Sequence, residues 1–303
     1  MRKVFLSIII GVFLVAACGP SHEEGKRRSY LQYLEERRQD SLALKVGVLP
    51  TMDCLPLFVA LDDSLFRQQG IDVRLKMRQA QLDNDTAFAG GSIEGMVSDL
   101  VRTERLRRQG TGVRYVAATN ADWQLLTNPK ARIKERSQLG DKMIAMTRYS
   151  ATDYLSTLAL KGVKTTAMVY RVQINDVGVR LRMMLNNEMD ALWLTEPQAT
   201  AARLFGAPVI YDTRKHDIRL GVIAFREQAL ADRNRQRQLA GFLKAYNAAV
   251  DSINLHGVAH YAPIIGKYCG CDAKTIKALP KLKYSHAAHP RQQDVARGSA
   301  EID

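Results

Sequence analysis

Residues 44–77 commit the chain to a parallel sheet. Leu44-Lys-Val-Gly-Val-Leu49 reads as a strand with valine alternation, and Pro50 to Pro56 reads as a loop. Leu57 to Gly70 reads as one helix closed by glycine, and Ile71 to Met77 as a second, cleanly alternating strand. Two strands joined through a helix lie parallel with a right-handed crossover. The expected fold class is therefore α/β, and in open α/β sheets ligands bind at the carboxyl edge of the strands.

The pattern continues along the chain. Residues 83–90 read as a helix capped by Asp83 or Asn84, and Gly95 to Asp99 as a short strand ending in an acid. Strands follow over Val113–Thr119, Lys142–Met146, Val169–Ile174, Ala191–Leu194 and Pro208–Tyr211. Between them lie helices over Asp153–Lys161, with Ser150 or Thr152 as cap, and Val179–Asn187. From Glu227 the pattern turns helical, with apolar residues at helical spacing over Arg237–Leu255. The run Ala191-Leu-Trp-Leu194 ends in Thr195-Glu196-Pro197. Proline lacks an N–H and suits the first position of a helix, so Glu196 is expected at a strand-to-helix junction facing a ligand cleft.

At the N-terminus, Arg2 and Lys3 precede an apolar run, Val4–Val15, that is too short for a confident membrane span. It ends Leu14-Val15-Ala16-Ala17-Cys18-Gly19, which resembles a bacterial lipobox. The resemblance implies that residues 1–18 form a lipoprotein signal and that Cys18 becomes the lipid-bearing first residue. Lipid chains would anchor the protein to a membrane of the bacterial envelope without spanning it. Residues 19–43 read as a polar tether, with a short charged helix carrying Leu31 and Leu34 on one side.

The 303 residues carry a net charge of +13, scattered over several short basic runs. No zinc-finger, RNA-recognition or helix-turn-helix signature accompanies the charge, so nucleic acid is not an expected partner. Solvated faces and attraction to an anionic bilayer account for it. Beyond Cys18 remain Cys54, Cys269 and Cys271, which allow one disulfide that the sequence cannot choose. His256, His260, His286 and His289 join the last two cysteines as metal-ligand residue types, but without the paired spacing of structural zinc sites, so no metal is expected. No nucleophile elbow, P-loop or Ser-His-Asp spacing is present, and the chain is read as a non-enzyme without a cofactor.

An α/β chain with this N-terminus and this order of elements resembles the type II periplasmic solute-binding proteins of ABC importers. Within that group it is similar to the nitrate, aliphatic-sulfonate and thiamine-pyrimidine-precursor binding family. Leu44–Pro56, Phe66-Arg-Gln-Gln-Gly-Ile-Asp-Val73, Asp190-Ala-Leu-Trp-Leu-Thr-Glu-Pro197 and the helical stretch around Leu239–Tyr246 carry the likeness. Glu94, where aspartate is commoner, and Cys54 in the opening loop depart from it.

The resemblance implies two α/β lobes with a ligand cleft between them: residues 44–137 with 216–303, and residues 138–215. The chain would cross near 120–137 and 211–220, and the lobes would close on the ligand by a hinge. Implied ligand-binding residues are Thr51, Met52, Asp53, Ser98, Asp99, Asn120 and Trp123 from one lobe. From the other come Thr147, Arg148, Ser150, Thr152, Asn175 and Glu196. Asp53, Asp99 and Glu196 suit an amine-bearing heterocycle, whereas Arg148 and the helix start at 150–152 suit an anion. The reading leans to the former. Implied partners are the small ligand and the importer's permease and ATPase, with the binding protein acting as a monomer. Two alternatives stand beside this: an interaction or signalling lipoprotein that kept the fold, and a pyrimidine-synthesis enzyme, whose cysteine-rich iron motif this chain lacks.

Overall fold

The computed structural model describes residues 22–300; the leader and Cys18 lie outside the described residues. The chain divides into two compact units, residues 1–43 and 44–303. In the first unit, His22–Leu42 forms one continuous helix, α1, with no buried residue. Among the described residues, no helix is long and apolar enough to cross a membrane.

The second unit holds two sheets. Strand β1 (Leu44–Val48) leads through a short turn at Met52–Cys54 to helices α2 (Leu55–Asp62) and α3 (Leu65–Gln68), then to β2 (Val73–Met77). The single helix expected over 57–70 is broken at Asp63-Ser64, where Ser64 takes a φ of 58°, outside helical space. Next come α4 (Gln81–Ala89), β3 (Gly95–Asp99), α5 (Leu100–Arg108) and β4 (Val113–Ala118). The cap of α4 is Ala80 rather than Asp83 or Asn84; Asp83 sits in the first turn and Asn84 is buried.

The chain then crosses to β5 (Gln124–Thr127), β6 (Met143–Met146), α6 (Ala151–Leu160), β7 (Tyr170–Gln173), α7 (Val177–Leu185), β8 (Ala191–Leu194), α8 (Gln198–Leu204) and β9 (Val209–Asp212). It returns through β10 (Gly221–Arg226) to α9 (Arg233–His256), α10 (Ala262–Cys269), α11 (Ala273–Lys277) and α12 (Gln292–Ala300).

The two sheets run β2-β1-β3-β10-β4 and β7-β6-β8-β5-β9. In the first, β1 pairs in parallel with β2 and β3, and β10 lies antiparallel between β3 and β4. In the second, β6 pairs in parallel with β7 and β8, and β5 lies antiparallel between β8 and β9. Each sheet therefore embeds one strand of reversed direction, delivered directly by a crossing segment. Neither β5 nor β10 was expected. Both are short and buried on both faces, so neither shows the alternation of a half-exposed strand. β5 belongs to the second sheet, so the chain passes from the first sheet to the second over residues 119–123.

Packing follows the helical period. Leu239, Phe242, Tyr246, Ala249, Val250 and Ile253 form the buried face of α9. The Phe242 ring lies 5.6 Å from that of Phe66 and 5.4 Å from that of Phe225. Gly95 opposes the Phe225 ring so closely that a β-carbon there would come within 2.7 Å of it, which explains a glycine inside β3. In the second lobe the fully buried Trp193 donates its indole N–H to Ser156 at 2.8 Å.

Candidate functional site

The strand-end loops of the two sheets meet around a cavity of about 80 Å³. The lobes touch directly at its rim. Met52 N–H donates to Glu196 O at 2.8 Å, and Gln198 Nε2 to Pro50 O at 2.8 Å. Ala80 bridges Asp176, and the Arg105 guanidinium lies 4.1 Å from the Tyr149 ring centroid. The arrangement is a closed cleft.

Thr51, Asp53, Ser98, Asp99, Trp123, Thr147, Ser150, Thr152 and Asn175 line the cavity. Met52, Asn120 and Glu196 instead line a smaller neighbouring recess of about 10 Å³, which Asp53 also reaches. Arg148 lines neither and is exposed, its guanidinium against the Tyr149 ring. The Glu196 carboxylate is fully engaged within its own element. Thr200 donates to it through N–H at 3.0 Å and through its hydroxyl at 2.6 Å, and Arg203 pairs with it at 2.8 Å. That acid tethers the start of α8, and Pro197 takes the cap position just before the helix. Asn120 Nδ2 is likewise engaged, with Lys283 O at 3.3 Å.

Two buried arginines, absent from the expected set, complete the wall: Arg102 on α5 and Arg180 on α7. Asp99 caps α5 by accepting Arg102 N–H at 3.0 Å, which turns the Arg102 side chain back beside it. The guanidinium pairs with Asp85, and its Nε sits 3.8 Å from Asp99 Oδ2. Asp99 Oδ1 also accepts Ala151 N–H at 3.1 Å, so its carboxylate occupies the amino end of α6 across the cleft. Ser150 caps α6, as one of the two expected candidates, accepting Thr152 N–H at 3.1 Å.

Among the described residues Arg180 forms no hydrogen-bonded ion pair, and Asp176 acts on it only through its field. Arg180 donates to Ile174 O at 2.7 Å, to Trp193 O at 3.0 Å and to the Thr147 hydroxyl. Burial, reinforced by the positive Arg102, lowers its pKa to about 10. Among the described residues Ser98 Oγ and Arg102 Nε are buried without a hydrogen-bond partner. Both belong to residues that line the cavity. Native interiors seldom leave such groups unpaired, so they mark where a polar ligand atom can be accommodated.

The cavity wall is thus dipolar. The first lobe presents the carboxyls of Asp53 and Asp99, with Arg102 largely engaged by Asp85 behind it; the second presents Arg180, which no carboxylate hydrogen-bonds. Burial raises the pKa of Asp53, and raises that of Asp99 to about 6 against the pull of Arg102. Burial also lifts Asp122, within the first crossing, to about 6.

These shifts fix the sign of a pH effect. The folded protein holds protons on Asp99 and Asp122 at pH values where the unfolded chain has released them. Stability is therefore expected to fall as pH rises from about 4 to about 6, by about 3 kcal/mol for Asp99 alone. Asp212 and Asp217, held low by arginine hydrogen bonds despite opposing desolvation, act in the opposite sense and lose their contribution in stronger acid. Melting temperatures across this range should peak in mild acid, and Asp99→Asn should flatten the descending side. An unchanged slope in that variant would exclude Asp99 as its source.

Among the described residues no group of three or more histidine, cysteine or acidic side chains is placed to hold a metal. His286 pairs with Asp251 at 2.6 Å, and His256 stacks on His260. Cys54, Cys269 and Cys271 are free thiols, so the disulfide that the sequence allowed is not formed.

No family model matches the chain, and no curated protein matches it. Solved structures do. The alkanesulfonate-binding protein of Xanthomonas axonopodis pv. citri, bound to MOPS, superposes with a TM-score of 0.70 at 16% identity, covering 86% of this chain and 91% of its own. The ligand-binding component of an ABC-type import system from Staphylococcus aureus, with zinc bound, gives 0.70 at 12% identity, with coverages of 86% and 91%. The periplasmic nitrate-binding protein of Synechocystis gives 0.68 at 15% identity, with coverages of 84% and 74%. Those proteins are binding proteins rather than enzymes, and this chain has the two-lobed periplasmic-binding-protein fold that they share.

Proposed function

We propose that the protein is the solute-binding component of an ABC importer, held at the envelope through lipid on Cys18. It closes its lobes on a small polar ligand and hands that ligand, chemically unchanged, to a permease driven by an ATPase. The observation that carries the reading is the closed cleft between the lobes, walled by buried polar side chains from both. Pre-formed concave sites with a few convergent polar groups are the usual form of small-ligand sites.

The dipolar wall supports a ligand with two unlike ends. A hydrogen-bond-donating amine or amidine faces Asp53 and Asp99, and an electron-rich or anionic group faces Arg180 and the Thr147 side. An aminopyrimidine of the thiamine-precursor type meets this description, as does a small zwitterion. A bare oxyanion does not, because the Asp99 carboxylate already holds the amino end of α6.

The test is a thermal-shift screen of the chain beginning at Gly19 with aminopyrimidines, small zwitterions, sulfonates, nitrate and simple amines. A ligand that binds only the native state, supplied at a hundred times its Kd, stabilises it by about 2.7 kcal/mol. Stabilisation by two-ended compounds and not by nitrate is the expected result. Stabilisation by simple anions alone overturns the ligand assignment. A well-folded chain that responds to nothing overturns the receptor reading in favour of an interaction module.

A further inference from the structure

Between Thr147 and Ser150, which both line the cavity, the chain places Tyr149 at a φ of 56°. That left-handed conformation is uncommon for any residue but glycine, and residues held there recur at ligand clamps and switches. Tyr149 N–H donates to Asp153 Oδ2 at 2.9 Å, and Arg171 holds the other oxygen of that carboxylate at 3.0 Å. So braced, the tyrosine ring does not line the cavity. It is half exposed, and it is the second lobe's contribution to a groove of about 460 Å³ otherwise lined from the α4 and α5 side. Arg105 meets it there. It lies one turn along α5 from the cavity-lining Arg102, and its guanidinium stands 4.1 Å from the ring centroid. Among the described residues that guanidinium makes no hydrogen bond or ion pair, and it acts on Asp85 only through its field. The Arg148 guanidinium lies 5.8 Å from the same ring. A guanidinium within about 6 Å of an aromatic face is attracted by the ring quadrupole.

We propose that Arg105 and Tyr149 form a clasp that keeps the empty cleft closed. The two residues belong to different lobes, so opening parts them, and their contact stabilises the closed state alone. Both lie outside the cavity and outside the neighbouring recess, so a ligand neither makes the contact nor displaces it. Each is nevertheless fixed to the cavity wall, Arg105 through α5 to Arg102 and Tyr149 through the chain to Ser150. That placement separates closure from ligand choice. The clasp sets how often the empty cleft opens, and so how readily a ligand enters and leaves, without entering into which ligand fits. The inference rests on the reading that the lobes open and close.

Amide hydrogen exchange of the ligand-free chain from Gly19, resolved by residue, tests the clasp. Met52 N–H bonds to Glu196 O across the cleft, on loops that carry neither clasp residue. Its exchange therefore reports parting of the lobes rather than loosening around Tyr149, and it follows the population of the open form. Met52 should exchange faster than the amides of β3. Tyr149→Leu should speed it about two- to fivefold and leave β3 unchanged. Tyr149→Phe keeps the ring face and should behave like the parent. Arg105→Gln should match Tyr149→Leu, and the double variant should add nothing further. An unchanged Met52 rate in Tyr149→Leu overturns the proposal, as do additive effects in the double variant. Equal speeding by Tyr149→Phe overturns it too, because the ring face would then carry no contact. A Met52 amide that exchanges freely in the parent means that the empty cleft stands open, which also overturns it. If Met52 exchanges as slowly as β3 in every form, the lobes do not part. The reading of a closing cleft then fails, and the clasp with it.

Discussion

Replacing Arg102 with methionine is expected to destabilise the protein by about 3–5 kcal/mol at neutral pH, the usual cost of removing one partner from a buried ion pair. Arg102 is 3% exposed and stands between Asp85 and Asp99, both buried. Without it two carboxylates remain in a low-dielectric interior with no hydrogen-bonded cation, only the field of Arg105 acting on Asp85, and each is already pushed toward its neutral form by burial. The loss should appear as a fall in melting temperature on the order of 10 °C. It should shrink as pH is lowered, because protonation neutralises the acids left behind. The variant Asp85→Asn, Asp99→Asn, Arg102→Met removes all three charges and should recover much of the stability, as replacing a whole buried ionic group often does. If Arg102→Met melts like the parent at pH 7, the triad carries no such load and its burial in the fold is wrong.

The residues around that triad show where the sequence was legible and where it was not. The strand ends were readable. Asp99 closes a short apolar run, and Thr147–Thr152 join a strand to a capped helix, so both were placed at the carboxyl edge where the cavity lies. Arg102 was not readable. Leu100-Val-Arg-Thr-Glu-Arg-Leu-Arg-Arg108 looks like a solvated basic stretch, but Asp85 of α4 holds Arg102, and a segment nearly two hundred residues later covers Leu100 and Glu104. Gly298 of α12 lies so close to Leu100 that a β-carbon would come within 2.9 Å of its backbone, and Ser299 donates to Glu104 at 3.1 Å. Local pattern holds no trace of such a non-local cover.

Glu196 shows the converse. Its position at a strand end suggested a ligand, but the spacing Glu196…Thr200…Arg203 places both partners on the following helical turns, where they satisfy it. That spacing was available in the sequence. The fold class did not depend on these readings, because parallel pairing follows from strand–helix–strand order. The missed β5 and β10 change which lobe a segment joins, not the architecture.

Replacing Arg180 with methionine is expected to remove ligand capture while leaving the fold largely intact. The guanidinium has five N–H donors, and its contacts with Ile174 O, Trp193 O and the Thr147 hydroxyl use three of them. Removing it strands the two carbonyls, at about 1–3 kcal/mol each. It also relieves the burial of a cation that only the field of Asp176 compensates, and this offsets much of that cost. The affinity term has no such offset. Truncating one member of a buried, hydrogen-bonded charge pair costs a complex about 2–5 kcal/mol, so capture should weaken by roughly 30-fold or more. Arg180→Lys keeps the charge but not the planar fork, and should retain part of the affinity only if charge rather than geometry anchors the ligand. Asp53→Asn supplies the contrast at the other end of the cavity. It should weaken an amine-bearing ligand and spare a purely anionic one. Calorimetric titration of the three variants with the compound that stabilises the parent protein reads these outcomes directly. Unaltered affinity in Arg180→Met would place the ligand's anchor wholly on the acidic wall and make the ligand a simple amine.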